Sequence, residues 1–405
     1  MRVLALADDL SGANEVAAVL AALPQHTDGD PVRPAPSVSA TVRVAPRPAA
    51  SDDAAVTVVN TDNRRGTPSQ AADRLRAVLA ADPTGPGRTL FLKFDSLLRG
   101  HIGAQLQAVP GAAPVLFCPA VPELGRTVRD GVLHVDGTPL AETGLWAAER
   151  QAPARTVAAQ LAPAPTRLLD LGTIRGAGLA KALARAAADG AVAVCDAESA
   201  GDLERIAAAG LAQGFVLAGA AGLAAALGRQ LGLRESGPLE SLGPHEPPHP
   251  RRADVLIVLG TASAAARRQA EQLAAAGVPV HRLRPEQIHG FALEHRGTVA
   301  VTVDAAVDPT ISDALTAALT ALVERHHADR HLVLSGGETA QAVLAALDVT
   351  ELVPLLQAHP GAVVSVAADG RLVTTRPGSY GAPDSLLRIL TAMHFLQDTT
   401  RKVPS

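Results

Sequence analysis

Charged side chains of both signs follow a short apolar run in residues 89–107, where Leu90–Leu92 leads into Lys93, Asp95 and Arg99. Such charges are costly at the exit of a buried strand unless a polar ligand or an ion pair compensates them. In open α/β sheets, ligands bind beyond the carboxyl ends of the strands. Lys and Arg bind carboxylates or phosphates, whereas Asp accepts protons or hydroxyl hydrogen bonds. The segment therefore indicates an anionic substrate that carries hydroxyls, with an internal ion pair as the alternative.

Two other apolar runs end in charged residues. Asp8 and Asp9 follow the first apolar run of the chain, and Asp62 and Arg64 follow Val56–Val59. Because parallel strands gather their carboxyl ends at one edge of a sheet, we expect these side chains to share a site with those after residue 92. A single acid there would be a helix N-cap. The doubled acid at 8–9 favours function over capping alone.

The second half of the chain has a different loop chemistry, rich in glycine and hydroxyls and poor in charge: VLGTASAAARR, VLSGGETAQAV and RPGSYGAPD. A Gly–Gly turn before a helix points backbone N–H groups outward, which stabilises phosphate without a lysine. The alternative is a set of tight strand-to-helix turns. The sequence lacks a Walker A motif and a dinucleotide fingerprint. The candidate phosphate-binding residues of these loops, which the resemblance described next assigns to a nucleotide, are Ser263, Gly336, Gly337, Glu338, Thr339, Gly378 and Gly381.

Eight motifs occur in an order that resembles the four-carbon acid sugar kinase family: ADDLSGA, NTDNR, KFDSLLRGHIGAQL, PAVPELGRTVRDG with PLAET, GAAGLA, GTASAAARRQ, SGGETAQAVL and PGSYGAPDSLL. The resemblance extends from Ala7 to Asp384. It implies transfer of a phosphoryl group from ATP to threonate, erythronate or an oxo-tetronate, and it is the main basis for ATP binding. The resemblance also leaves a homodimer open, although the sequence does not define the oligomeric state.

The resemblance implies roles for the charged residues that follow the predicted strands of the first half. The groups suited to the carboxylate and hydroxyls of the substrate are Arg64, Lys93 and Arg99. Asp9 is the first choice for the base that accepts the hydroxyl proton, and Asp95 is the second. Asp8 is expected to orient hydroxyls or Lys93. Mg²⁺ is expected to bridge the ATP phosphates, largely through waters, with Glu338 as a candidate ligand.

Three residues of the expected substrate pocket depart from the family pattern: Asn63, Leu97 and His101. Since an unpaired substrate hydroxyl is costly, these changes are expected to alter which stereoisomer is accepted. One alternative function is a catalytically silent sensor that binds sugar acid and nucleotide. The other is a two-domain oxidoreductase or isomerase, since an α/β fold does not define function.

Composition indicates a cytoplasmic enzyme with small-molecule substrates. The formal net charge is −4, so the chain lacks the excess of positive charge that is typical of proteins that bind nucleic acid or an anionic membrane. The two cysteines, Cys118 and Cys195, are too few for a disulfide framework, and we interpret them as buried free thiols. Aromatic residues make up 2% of the 405 residues, so Ala, Val and Leu must fill the cores. No apolar run approaches the about 20 residues of a membrane span.

Apolar runs alternate with alanine-rich helical stretches, which predicts parallel βαβ construction. The predicted strands are Val3–Ala7, Val56–Val59, Leu90–Leu92, Val115–Cys118, Leu168–Leu171, Val192–Cys195, Phe215–Ala218, Val255–Leu259, Val278–Leu283, Val299–Val303 and Leu332–Leu334. A hairpin is predicted at Asp136–Gly137 and another around Ala368–Arg371. Residues 24–55 are interpreted as a poorly patterned surface excursion, with a strand near Ser39–Val44. The histidines His326, His327 and His331 are expected on a solvated surface.

The Pro/Gly-rich segment 235–252 is predicted to be a linker between two domains. The prediction is thus an α/β fold of two α/β domains with largely parallel sheets: a sugar-acid-binding domain at 1–234 and a nucleotide-binding domain at 253–405. The family resemblance implies an active site in the cleft between them.

Overall fold

The computed structural model describes residues 2–23, 39–45, 54–64, 66–81, 88–110, 113–146, 149, 151–233, 253–261, 263–305, 310–378 and 381–399. The predicted linker at 235–252, together with Arg65 and Ala262, lies outside these residues. The chain forms two units. The first contains the described residues of 1–22 and 46–236, and the second contains those of 23–45 and 237–405.

The strands, in chain order, are β1 (Arg2–Ala7), β2 (Ala40–Arg43), β3 (Val56–Asn60), β4 (Arg88–Lys93), β5 (Val115–Cys118), β6 (Arg126–Arg129), β7 (Val132–Val135), β8 (Thr138–Pro139), β9 (Thr166–Leu169), β10 (Val192–Cys195), β11 (Val216–Gly219), β12 (Asp254–Leu259), β13 (Val280–Leu283), β14 (Val299–Val303), β15 (Arg330–Ser335), β16 (Glu351–His359), β17 (Ala362–Val366) and β18 (Leu372–Arg376). The predicted strand Leu168–Leu171 is wrong at its end, because Leu171 begins a helix that Asp170 caps through the backbone N–H of Thr173.

The helices are α1 (Leu10–Leu20), α2 (Pro68–Ala81), α3 (Ile102–Leu106), α4 (Val157–Gln160), α5 (Leu171–Arg175), α6 (Leu179–Ala188), α7 (Ala200–Ala212), α8 (Ala221–Gln230), α9 (Ala264–Ala275), α10 (Pro285–Ile288), α11 (Ser312–His326), α12 (Gly337–Ala346) and α13 (Ser385–Thr399). In the part of the chain that the structure describes, none of these helices has the length and apolarity needed to cross a bilayer.

The first unit is built on a parallel sheet with the strand order β3-β1-β4-β11-β5-β10-β9. Strands β1, β3 and β5 are buried along their length except at Arg2, as expected for strands covered on both faces. Ala7 is in register with Asn60 of β3 and with Lys93 of β4. The loops after β1, β3 and β4 therefore start at the same level of one sheet edge.

A small antiparallel sheet of order β6-β7-β8 follows β5. The predicted hairpin at Asp136–Gly137 is confirmed, and both turn residues have positive φ, 50° and 81°. Strand β6 was not predicted. It lies beside Ala197, which follows β10, through an antiparallel bridge at Val128.

The second unit has a mixed sheet with the order β13-β14-β12-β15-β18-β17-β16-β2. Its pairings from β13 to β18 are parallel, and those from β18 to β2 are antiparallel. Leu259, Ser335 and Arg376 are in register at the ends of β12, β15 and β18, so three loops leave the sheet side by side. The predicted hairpin around Ala368–Arg371 is confirmed by β17 and β18.

The strand predicted near Ser39–Val44 is confirmed as β2, which pairs with β16 through Glu351 and Leu352. Three of its four residues are buried, so the interpretation of 24–55 as a surface excursion is wrong for this part. The prediction of a solvated His331 is also wrong: it is fully buried, and its Nδ1 accepts a hydrogen bond from the backbone N–H of Leu372 at 3.0 Å. Cys118 and Cys195 are buried free thiols, as predicted.

Candidate functional site

The charged residues after β1 and β3 meet in the first unit. Arg64 binds Asp8 with two hydrogen bonds, Nε to Oδ2 at 3.2 Å and Nη2 to Oδ1 at 3.0 Å. The same Nη2 lies 2.9 Å from Asp9 Oδ1 and 3.9 Å from Asp95 Oδ1. One guanidinium thus links the acids of two strand exits, as the strand register requires.

Asp95 is held by its own loop. Arg99 donates to Asp95 Oδ2 through its backbone N–H at 3.2 Å and its Nε at 2.6 Å, and to Oδ1 through Nη2 at 2.9 Å. This is a bidentate guanidinium–carboxylate pair, the geometry in which charge-assisted hydrogen bonds are strongest. The loop after β4 therefore presents a fixed, partly exposed ion pair.

Asp9 is also the N-cap of α1, where its Oδ1 accepts from the backbone N–H of Gly12 at 3.0 Å and its Oδ2 accepts from the Ser11 hydroxyl. A Cβ at Gly12 would lie 2.6 Å from Asp9 Oδ1 and 3.0 Å from Lys93 Nζ. Glycine is therefore needed for the close approach of α1 to both charged groups. Asp9 therefore both caps α1 and belongs to the charged cluster, the group of charged side chains around Arg64 that includes Asp8, Asp9 and Asp95.

The ion-pair partner of Lys93 is Glu15 on α1, with Nζ 3.1 Å from Oε2. Lys93 also donates to the backbone carbonyl of Phe94 at 3.2 Å. The sequence analysis did not identify Glu15. It expected Asp8 to orient either the substrate hydroxyls or Lys93, whereas the structure pairs Lys93 with Glu15. The available signal was a lone acid in the otherwise apolar first helix, LSGANEVAAVL.

The three acids differ in pKa because their partners differ. Burial is the largest influence on each, and for Asp8 it prevails together with repulsion from Asp9, so the pKa of Asp8 is raised. Arg64 and Lys93 overcome burial at Asp9, whose pKa is lowered. Arg99 and Arg64 overcome it at Asp95, whose pKa falls far below its ordinary value. Asp9 and Asp95 are therefore ionised carboxylates at neutral pH.

Asp95→Asn is expected to flatten the acid dependence of folding stability. A carboxylate with a depressed folded-state pKa stabilises the protein above its unfolded pKa of about 3.9, and that contribution is lost as pH falls through the folded value. Loss of one partner of a buried pair costs about 3–5 kcal/mol. Denaturant unfolding at pH 7 and at lower pH measures both effects. Asp73→Asn, at an exposed pair with Arg76, is the control, and equal curves for both variants would contradict the prediction.

The remaining predicted substrate residues lie at different depths. Asp62 is half-exposed, and its carboxylate lies 3.8 Å from Arg74 Nη1. Asn63 is buried and donates to Gln105 Oε1 at 3.1 Å. The ring Nε2 of His101 lies 2.9 Å from the carbonyl oxygen of Gly66. Asp62 was predicted to share the site, but the structure pairs it with Arg74 on α2 instead of with the charged cluster around Arg64.

For Glu123, Arg126 and Asp130 in the segment after β5, the sequence leaves open either a site or domain-interface role or a structured loop. The structure shows that this segment contacts the loop after β4. Three contacts join them: Arg126 Nη1 donates to Ser96 Oγ, Trp146 Nε1 donates to the Leu97 carbonyl at 2.8 Å, and Arg99 Nη1 lies 3.8 Å from Glu149 Oε1. The PELGRT motif was the only sequence signal, since Arg126 lies 30 positions from Ser96 along the chain.

In the second unit, the three glycine-bearing loops come into close contact. A Cβ at Gly378 would lie 3.0 Å from Thr261 Cγ2 and 3.4 Å from Gly336 Cα, and one at Gly260 would lie 2.2 Å from Thr339 Oγ1. Gly336 has φ 113°, a conformation that L-residues rarely adopt. Gly337, in contrast, is the first residue of α12. The predicted nucleotide loops therefore share one surface, with a helix N-terminus behind Gly336.

Buried polar side chains fix the third of these loops. Gln269 donates to the carbonyls of Gly381 and Ala382 at 3.0 and 3.1 Å. Ser385 accepts from Arg376 Nη1 at 3.0 Å, and its Oγ lies 2.6 Å from His359 Nε2. Burial lowers the pKa of His359 to about 4, so the ring is neutral. Its Nδ1 donates to the carbonyl oxygen of Pro360 at 3.0 Å, and Nε2 therefore accepts a hydrogen bond from the Ser385 hydroxyl.

The remaining nucleotide-loop residues occupy helix starts. Ser263 caps α9 through the backbone N–H of Ala266, and Glu338 is exposed in the first turn of α12, 3.4 Å from Ser312 Oγ. Across the described residues, no group of three or more His, Cys, Asp or Glu side chains is arranged to hold a metal ion.

Family models match both units. Residues 3–227 match a sugar-binding N-terminal domain, and residues 292–386 match a nucleotide-binding C-terminal domain. The first model alone covers more than half of the chain. Its range contains the charged cluster, and the second contains the loops at Gly336 and Gly378.

Curated relatives span nearly the whole chain. A D-threonate kinase of Cupriavidus necator is 33% identical over 96% of this chain and 97% of its own length. A 3-oxo-tetronate kinase of Pseudomonas fluorescens is 29% identical over 95% of both chains. A solved Salmonella typhimurium protein superimposes with a TM-score of 0.74 at 19% identity, covering 96% of this chain and 98% of its own, which shows a shared fold.

Proposed function

This chain belongs to the four-carbon acid sugar kinase family, and on that premise we propose that it transfers a phosphoryl group from ATP to a terminal hydroxyl of a threonate, erythronate or oxo-tetronate type of acid. The observation that carries the proposal is the buried cluster of carboxylates and cations at the ends of β1, β3 and β4. It is suited to a ligand with a carboxylate and several hydroxyls.

In this proposal Asp9 is the base that accepts the hydroxyl proton. Its side chain is 11% exposed, whereas that of Asp8 is fully buried behind Arg64. Asp95 is the second choice, because Arg99 occupies both of its oxygens. Asp9 Oδ2 accepts a hydrogen bond from the Ser11 hydroxyl, and a carboxylate oxygen has a second lone pair with which it can accept from a substrate hydroxyl. Asp8 holds Arg64 in position for the substrate.

The nucleotide phosphates are assigned to the loops at Gly336 and Gly378, which lie so close together that a Cβ on Gly378 would be 3.4 Å from Gly336 Cα, and which adjoin the N-terminus of α12. Glu338 is the carboxylate that fits Mg²⁺, which keeps most of its waters and needs one or two carboxylates. When bound, Mg²⁺ neutralises charge on the phosphates. Buried, free Cys118 and Cys195 fit a reducing compartment, so we place the activity in the cytoplasm.

The test is a panel of D- and L-threonate, D- and L-erythronate and oxo-tetronates, each incubated with ATP and Mg²⁺ while ADP release is followed. We expect ADP release with one of these acids and little without acid. Tight binding of an acid without turnover would contradict the proposal and support the sensor alternative. The relatives act on two different acids at similar identity, so the panel must include both types.

A further inference from the structure

The charged cluster of the first unit lacks positive charge for an anionic substrate. Its carboxylates are Asp8, Asp9, Glu15 and Asp95, and its cations are Arg64, Lys93 and Arg99. The carboxylates of the cluster outnumber its cations, and Arg99 also lies 3.8 Å from Glu149. A substrate carboxylate would therefore meet a site of net negative charge, which is unfavourable at a partly buried position.

Arg126 on β6 supplies a further cation. Its Nη1 donates to Ser96 Oγ, so the guanidinium lies beside the residue that follows Asp95. Its charge is also one of those that lower the pKa of Asp95. Arg126 is half-buried, so a ligand in this part of the unit reaches it without unfolding the sheet.

The alternation of β6 separates Arg126 from the other arginine of the strand. Successive side chains of a strand point to opposite faces, so Arg126 shares a face with Val128, which is fully buried, and not with Arg129. The side chain of Arg129 is 63% exposed and pairs with Glu198. Two arginines three positions apart thus have separate surroundings, and only Arg126 contacts the loop after β4.

We propose that Arg126 binds the carboxylate of the acid substrate and that the β6–β8 sheet thereby selects acids over neutral polyols. This inference rests on the proposed function and changes its assignment of carboxylate binding. Arg64, Lys93 and Arg99 then organise the catalytic carboxylates and contact the hydroxyls. The Ser96 hydroxyl fixes the orientation of the guanidinium fork.

The decisive variant is Arg126→Gln, which keeps a donor for Ser96 and removes the charge. Kd and KM are measured for the best acid of the panel and for the tetritol of the same configuration, which has no carboxylate. Loss of a hydrogen bond between charged groups typically weakens binding by about 10- to 100-fold. We expect that loss for the acid, little change for the tetritol and an unchanged KM for ATP.

Arg129→Gln is the matched control, with wild-type values expected for both ligands. Arg126→Lys should recover part of the affinity, because it restores the charge without the fork. Equal weakening of acid and tetritol in Arg126→Gln would assign Arg126 a structural role and overturn the inference. Acid binding that depends on Arg126 without phosphoryl transfer would support this inference while contradicting the proposed kinase reaction.

Discussion

Asp9→Asn is expected to lower kcat by about 10²–10⁴ while the acid substrate still binds. Asparagine is as good an N-cap as aspartate, so the start of α1 is preserved. It also keeps an oxygen for Arg64, but it cannot accept the hydroxyl proton. Because the pKa of Asp9 is lowered, wild-type kcat should show no titration of this group near neutral pH. Steady-state kinetics with saturating ATP and calorimetric Kd values measure these effects.

Asp170→Asn is the control for this variant. Asp170 caps α5 by accepting from the backbone N–H of Thr173 at 2.7 Å, so the same chemical change is made at another N-cap of the first unit. We expect wild-type kcat from it. If Asp9→Asn retains most of its kcat, Asp95 or direct transfer without a protein base becomes the better mechanism.

Gly336→Ala is expected to abolish ATP and ADP binding while the sugar acid still raises the melting temperature. With φ at 113°, Gly336 occupies a region that costs a residue with a Cβ about 1–3 kcal/mol, and relief of that strain would move the N–H groups at the start of α12. Calorimetry with ADP and thermal unfolding with each ligand separate the two binding functions.

Gly277→Ala provides the matched control. Gly277 also has positive φ, 84°, but a Cβ there would contact nothing within 4 Å, and the residue lies just after α9. The backbone penalty should be similar, and ADP affinity should stay at the wild-type value. Intact ADP binding by Gly336→Ala would show that the nucleotide uses other residues than those of the three loops.

The parallel strands could be predicted from the sequence because a strand covered on both faces is a continuous apolar run. Val115–Cys118, Val192–Cys195 and Val299–Val303 have the predicted bounds. Strand β16 (Glu351–His359) was missed because it is not a continuous apolar run. It contains a proline and several polar residues, and its antiparallel pairing with β17 is interrupted by register shifts.

The residues of the candidate site also differ in whether the sequence could predict them. Asp8, Asp9, Arg64, Lys93 and Asp95 could be predicted as one group because each follows a strand end, and strand register brings such ends together. Glu15 could not be predicted, because it lies on a helix face. Arg126 could be predicted only as one of two alternatives, because it lies on a separate hairpin sheet. Their positions depend on tertiary packing, which a single sequence does not encode at fixed spacing.

Residues 40–43 place a strand of the second unit early in the chain, before most of the first unit has been synthesised. A single cut near 235–252 would therefore not yield an intact second unit. The fragment would lack the residues that pair with Glu351 and Leu352 of β16. The bare backbone groups of that edge would favour self-association. Production of the second unit in isolation thus requires that residues 39–45 be supplied as a separate peptide or be grafted onto the fragment.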